Sequence, residues 1–298
     1  MKEKPIRAIV CAALGNVIWG FSFLFTKVGL AVAPDPNVML AHRFTLATLF
    51  MCLLMLAGKG RVSFRGKNWK PVSILLAMQL SYYFFESYGV LHTNATISGL
   101  VLALVPIVTI GTGALFLREY PTKRQALFCI LPVVGLILMT VSGKELGVIT
   151  PLGVLFLLLT LLSSAFYKTA NRRVAQEFTP FERTFMVLAI SAVFFNVSGL
   201  LSVGGDLGAY VAPLLKPSYL GAVLALSVLC SIVANMLVNY ASGKMSVFKV
   251  SSFGALSTLC SMVAGALLGE PWNATLLIGG VLILVGVWQV TRQKGEKR

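Results

Sequence analysis

What this chain has little of is charge. Only 12% of its 298 residues are charged, and just 10 of them are acidic. Soluble domains carry about 25% charged residues. With 57% hydrophobic residues and a mean hydropathy of +0.86, a water-soluble fold would expose apolar area far beyond the order of a few hundred Å² tolerated on monomers. An integral membrane protein is the class that remains, with the lipid bilayer as its first partner.

Paired cysteines and metal patterns are absent too. Cys11, Cys52, Cys129, Cys230 and Cys260 are odd in number, all fall within apolar runs, and form no C-x-x-C; buried free thiols are the expectation. His42 and His92 have no metal-ligand spacing with one another or with a cysteine. There is no Gly-x-x-x-x-Gly-Lys-Ser/Thr loop for ATP. No G-x-S-x-G, H-E-x-x-H or carboxylate dyad supports catalysis. The expectation is therefore no cofactor, no metal and no enzyme. The net charge of +15 could suggest nucleic acid, but no Lys/Arg-rich arm with interleaved aromatics exists. The basic residues sit in short gaps between apolar runs, which favours the membrane.

A spanning helix needs about 20 apolar residues. Ten candidates follow one another: Ile6–Ala31, Pro36–Leu56, Pro71–Leu91, Ala95–Leu117, Lys123–Val141, Pro151–Ala170, Pro180–Leu201, Ser218–Tyr240, Val247–Gly269 and Trp272–Val290. The first is too long for a cleaved signal peptide and is read as a retained helix. Proline recurs at helix starts, where its missing N–H costs nothing. Ten crossings put both termini on one side, and that side then carries 20 of the 25 Lys and Arg residues. The positive-inside rule places that side, and both termini, in the cytoplasm of a cell whose inner membrane the chain spans.

An internal echo runs through the chain. Glu119 and Glu270 lie 151 positions apart, as do Gly135 and Gly286, and Gly113-Ala114 matches Ala264-Gly265 at the same shift. A fixed offset this long indicates duplication, with halves at 1–145 and 146–298. Each half holds five helices. Five is odd, so the second half must run opposite to the first. The predicted fold is all-α, with ten transmembrane helices in two inverted five-helix repeats, the pattern of secondary carriers.

Several stretches resemble the drug/metabolite transporter superfamily, EamA type. Gly15-Asn16-Val17-Ile18-Trp19-Gly20-Phe21-Ser22-Phe23 is similar to its first-helix signature. Arg43 matches a basic residue common in the second helix. Pro106 followed by Leu117-Arg118-Glu119-Tyr120-Pro121-Thr122-Lys123-Arg124-Gln125 resembles the pattern spanning helices four and five, with Gly135 after it. Ser164-Ala165-Phe166-Tyr167 with Arg172-Arg173, then Gly269-Glu270, Gly280 and Gly286, resembles the second half. Ser164 departs from a frequent Trp, and Ser257 stands opposite Pro106. The resemblance implies an alternating-access permease, often an exporter, for amino acids, other metabolites or drugs.

Intramembrane polarity marks the candidate path. A charge at the bilayer centre costs at least about 2.5–3.5 kcal/mol. Lys27, Arg43 and Glu86 are each expected about 10 Å below the outer surface. Two readings compete for them. Either the cations snorkel and Glu86 is their structural ion pair, or the three line an outer, net-positive part of the path. An unpaired Glu86 could also carry a proton as coupling ion. Asn16, Trp19, Phe23 and Lys27 share one face of the first helix, and Gln79, Tyr83 and Glu86 one face of the third, with Tyr82 beside it. Asn16, Trp19, Phe23, Arg43, Gln79, Tyr82, Tyr83, Glu86, Tyr167 and Asn239 are the candidate substrate-path residues. Gly99, Pro106 and Gly113 are hinge or packing positions of the fourth helix. Lys168 and Lys249 are expected to snorkel from inner helix ends.

The expected function is secondary efflux of a small organic metabolite, an amino acid or similar amphipathic molecule. An organic-cation or drug transporter with an aromatic cage and Glu86 as counter-charge is the alternative. A non-transporting scaffold or an intramembrane enzyme stands as the reading from other classes.

Overall fold

The structure, a computed structural model, describes residues 5–63, 66–102, 104–117, 119–120, 127–128, 131, 134–135, 138, 150–270, 274–292 and 296–297. The described chain is built of helices: α1 (Pro5–Val32), α2 (Pro36–Leu56), α3 (Lys70–Leu91), α4 (Ala95–Leu102), α5 (Val105–Leu117), α6 (Pro151–Val174), α7 (Pro180–Ser202) and the short α8 (Leu207–Val211). They continue with α9 (Pro217–Ala225), a π-helical stretch (Leu226–Ala234), α10 (Asn235–Lys244), α11 (Val247–Ser252), α12 (Gly254–Leu267) and α13 (Ala274–Arg292). A two-residue antiparallel bridge joins Glu119–Tyr120 to Glu296–Lys297. The segment expected at Lys123–Val141 lies largely outside the described residues.

Local chemistry sets the helix starts. Asp35 accepts from Asn37 N ahead of α2, and Thr150 accepts from Gly153 N ahead of α6. Thr179 and Glu182 form a capping box on α7. Each start has proline in the first turn, and a side-chain cap stabilises by about 1 kcal/mol.

Polarity runs inside out. Leu49, Leu53 and Leu56 on α2, Val193, Val197 and Leu201 on α7, and Leu155, Leu158 and Leu162 on α6 are exposed. Arg43, Glu86, Gln79, Arg183, Asn235 and Asn239 are buried. Only a hydrocarbon solvent rewards that arrangement. Seven described helical stretches are long and apolar enough to cross a membrane, and Leu277–Gly286 adds a shorter apolar one. The protein is a multi-pass membrane protein.

Two helix pairs dominate the packing, α2 with α7 and α3 with α6. The chains run antiparallel in the first pair, since Gly199 abuts Asn37 at one end and Gly60 abuts Phe181 at the other. At their crossing, Phe44 stacks on Phe195 at 5.7 Å, and Asn196 Nδ2 donates to Thr45 Oγ1 at 2.6 Å. Both contacts join residues 151 positions apart. The second pair is also antiparallel: Gly153 packs on His92, and Gly89 on Leu157. α1 lies against the α9–α10 run and α12.

The fourth candidate span is a broken helix. It departs from regular α-helix at Leu104, whose N–H donates to Val101 O, just ahead of the buried Pro106, whose ring lacks an N–H and crowds the preceding turn. The ninth span breaks between Ser252 and Gly254. It has no proline there, and Ser257 is the residue 151 positions after Pro106. At Gly99 a side chain would place its Cβ 2.4 Å from Ser261 Cβ, so glycine is what lets α4 and α12 meet. Gly113 is buried within α5.

The two ends of the bundle differ. Glu270 Oε1 accepts from Ala95 N at the start of α4, on the side where α3 ends. At the other end, Lys67 pairs with Glu182 at 2.7 Å, Asn68 N donates to Glu177, and the 119–120 and 296–297 bridge forms.

Candidate functional site

A narrow cavity of ≈ 70 Å³ lies where α1, α2, α3, α6 and the two helix breaks converge. A buried water needs about 10–15 Å³ on the same measure, so the space takes a few waters or one compact solute. Nine of the ten residues expected to line a path border it. Asn16, Trp19 and Phe23 come from α1, Arg43 from α2, Gln79, Tyr82, Tyr83 and Glu86 from α3, and Tyr167 from α6. Helical spacing brings them together, because positions three and four apart share a face.

Most polar groups in the wall are held in place. Trp19 Nε1 donates to Cys230 O at 3.1 Å, and Asn16 Nδ2 to Ala12 O at 2.8 Å. Arg43 Nε donates to Ser231 Oγ at 2.8 Å, and its guanidinium carbon sits 5.3 Å from the ring centres of Phe44 and Tyr83. Glu86 is 6% exposed and accepts from Tyr82 Oη at 2.7 Å. Among the described residues it has no ion-pair partner within 4.0 Å, although Arg43 is near enough to act on it electrostatically. Gln79 Oε1 is buried with no hydrogen-bond partner. The cavity thus offers an aromatic body, the Glu86 carboxyl and an amide oxygen free to accept.

Two expectations change. The three charges read at one depth do not form a cluster. Lys27 Nζ donates to Thr93 O and faces Glu270 electrostatically, because its long stem reaches the carbonyl where α3 ends. Asn239 lies outside the cavity lining. Its Oδ1 accepts from Asn171 Nδ2 at 2.8 Å, its Nδ2 donates to Thr184 Oγ1 at 2.9 Å, and its carbonyl accepts from Arg183 Nη2. A buried guanidinium at that level demands acceptors, and Asn239 and Asn171 supply them.

Other lining residues were not anticipated. Ser22, Ser164, Gly254, Ser257 and above all Lys168 border the cavity. Lys168 was expected to snorkel to the inner surface. The signal for it was the stripe Ser164, Lys168 and Asn171 at helical spacing on α6. Nothing in the sequence announces the π-helical stretch that presents Cys230 O to Trp19 and Ser231 to Arg43; such widened turns occur often at functional sites.

Against this geometry, comparison with known proteins is decisive. The profile of the EamA-like transporter family matches residues 6–141 and again residues 151–292. The chain belongs to the EamA-like transporter family. An uncharacterized transporter of Bacillus subtilis (strain 168), YcxC, is 35% identical over 292 residues, covering 96% of this chain and 93% of that one. A probable terminal-alkyne amino-acid exporter of Streptantibioticus cattleyicolor is 24% identical over 99% of this chain and 97% of its own. A probable amino-acid metabolite efflux pump of Salmonella typhimurium is 23% identical over 93% and 92%. One solved structure, described only as that of a protein, superposes with a TM-score of 0.70 at 18% identity over 95% of this chain and 98% of that chain, a likeness of fold. This EamA protein is a membrane transporter.

Proposed function

We infer that this transporter is a secondary carrier that moves a small organic metabolite by alternating access, with efflux of an amino acid or a related amphipathic molecule as the best-supported cargo. The observation that carries the reading is the cavity bounded by both broken helices. Gly99, Leu102 and Val105 reach it from the first break, and Gly254 and Ser257 from the second. Discontinuous helices meeting at a central site are how secondary carriers expose backbone ends to their cargo. Trp19, Phe23, Tyr82 and Tyr83 suit an apolar body of compact size.

Ten helices in two inverted repeats, with halves at 1–145 and 146–298, remain the architecture we propose. The doubled family match supports it. So do the Phe44–Phe195 and Thr45–Asn196 contacts, because residues related by a two-fold axis touch each other only where that axis passes. Glu119 and Glu270, at opposite ends of the bundle, agree with inversion. The basic residues gathered around Lys67, Lys70, Arg172 and Arg173 support a cytoplasmic placement of that end, and with it both termini, in the inner membrane. The names of the exporter and efflux-pump relatives support amino-acid cargo and outward movement.

Counterflow tests the carrier. Proteoliposomes preloaded with unlabelled L-leucine should accumulate labelled L-leucine transiently. Uptake with no trans-stimulation points to a channel, and no uptake of any solute across an amino-acid panel to a scaffold.

A second reading has its own observation. Glu86 faces the cavity beside the aromatic rings and, among the described residues, has no ion-pair partner, as the counter-charge of an organic cation would, and the same carboxyl could accept a coupling proton. Glu86→Gln separates these. Loss of cation exchange with amino-acid exchange intact supports the cation cage. Loss of gradient-driven transport with exchange intact supports the proton.

A further inference from the structure

We propose that Lys168 is the residue that selects the cargo, binding a single carboxylate at the inner pole of the cavity. This rests on the carrier reading and names the chemical class its central site accepts.

Three observations bear on it. First, Lys168 borders the cavity, and among the described residues no acceptor hydrogen-bonds its Nζ and no carboxylate lies within 4.0 Å of it. Every other charged group facing this space is tied to a protein atom: Arg43 to Ser231, and Glu86 to Tyr82. Second, Glu86 is not its counter-charge. Gly153 packs against His92 and Gly89 against Leu157, which puts Lys168 level with residue 77 on α3. That is nine residues, or roughly 13 Å along the helix axes, from Glu86. Third, α5 and α12, of 13 and 14 residues, begin at the cavity with Val105 and Gly254. Each break sets the C-terminal end of one helix beside the start of the next, so the opposite partial charges of the two ends largely cancel there and Lys168 is left as the charge that draws an anion.

The chemistry favours a monoanion. An unneutralised ammonium in a lipid-embedded wall is costly, and a carboxylate arriving with the cargo neutralises it only while the cargo is bound. A phosphate would need more donors than this pole supplies, since Arg43 is already engaged at the other level by Ser231 and two rings. The aliphatic or aromatic remainder of the cargo then lies toward Trp19, Phe23 and Tyr82.

Thermal shift on the full purified chain tests the assignment, because a ligand of the folded state raises its melting temperature. The probes are the straight-chain monocarboxylates from acetate to hexanoate, L-leucine, the matching amides including L-leucinamide, and 3-methylbutylamine. Wild type should bind the acids at least tenfold more tightly than their amides. K168M should lose that preference, with a melting temperature no lower than wild type without ligand. K168R should keep it. Acids binding K168M as tightly as wild type would overturn the proposal, and so would amides matching acids on wild type or no acid binding at all. If K168M fails to fold, a K168R protein that has lost the acid preference overturns it equally. The carrier reading fails separately: acids that bind through Lys168 but show no counterflow sink transport and leave the assignment standing.

Discussion

Arg43 and Arg183 are buried arginines in opposite halves of the molecule, 3% and 1% exposed, and they are treated very differently. Arg183 Nη1 donates to Asn171 Oδ1 at 2.7 Å and to Asn171 O at 3.3 Å, and Nη2 donates to Asn239 O. Asn171 and Asn239 then bind each other, and Asn239 reaches Thr184. That network ties α6, α7 and α10 together and leaves only Arg183 Nε, among its described atoms, buried without a partner. Arg43 makes one bond, from Nε to Ser231, lies over two rings, and borders the cavity. A network shared by three helices rigidifies. A charge held at a cavity wall, as Arg43 is by Ser231 and two rings, sets the potential of the space without being free to bind in it. The second half thus spends its buried arginine on architecture, while the first half presents its own to the site.

The largest test of that contrast is Arg183→Met against Arg43→Met. The first strands the Asn171 and Asn239 acceptors, at about 1–3 kcal/mol for each group left without a donor, and should lower thermal stability in detergent severely. The second loses one hydrogen bond and ring contacts worth about 0.5–1 kcal/mol, so it should fold and show its defect in transport. If Arg43→Met melts as low as Arg183→Met, the contrast is gone.

The seam between the halves comes next. Gly99→Val forces a side chain onto Ser261 and should cost about 1–3 kcal/mol through overpacking. Gly111→Val on α5, where nothing lies within 4 Å, should be near neutral. Equal melting temperatures for the two variants would mean the seam is looser than the contact at Gly99 implies. The smallest effect belongs to the α2–α7 crossing. Asn196→Ala removes its bond to Thr45 and the one from Tyr210 Oη at 2.7 Å, at about 0.6 kcal/mol per interhelical bond. A loss of more than about 3 kcal/mol would show that the crossing holds the halves together far more firmly than two membrane hydrogen bonds can.

The polar stripes of α1 and α3 were legible because each helix repeats its face every three to four residues, so Asn16, Trp19 and Phe23, or Gln79, Tyr83 and Glu86, had to point one way together. Helix starts were legible from proline with Asp or Thr before it. Lys168 was not, because a lysine six residues from the end of its helix can reach the surface or turn inward, and only the neighbours on α3 and at the helix breaks decide which. Asn239 was misplaced for a related reason. The face of a helix is set by its own residues, but the element it meets is not, and the demand came from Arg183 on α7.

The sequence alone determined that this chain lives in lipid, where its helices begin, and that its two ends echo each other, because hydropathy, capping and a fixed offset are properties of the chain itself. Tertiary structure decided which charges are spent and which are left open. Lys27 went to Thr93, Arg183 to two asparagines, and Lys168 to the cavity. In a medium without water each buried polar group must find its partner among whatever the packing brings near, and only the packed bundle says what that is.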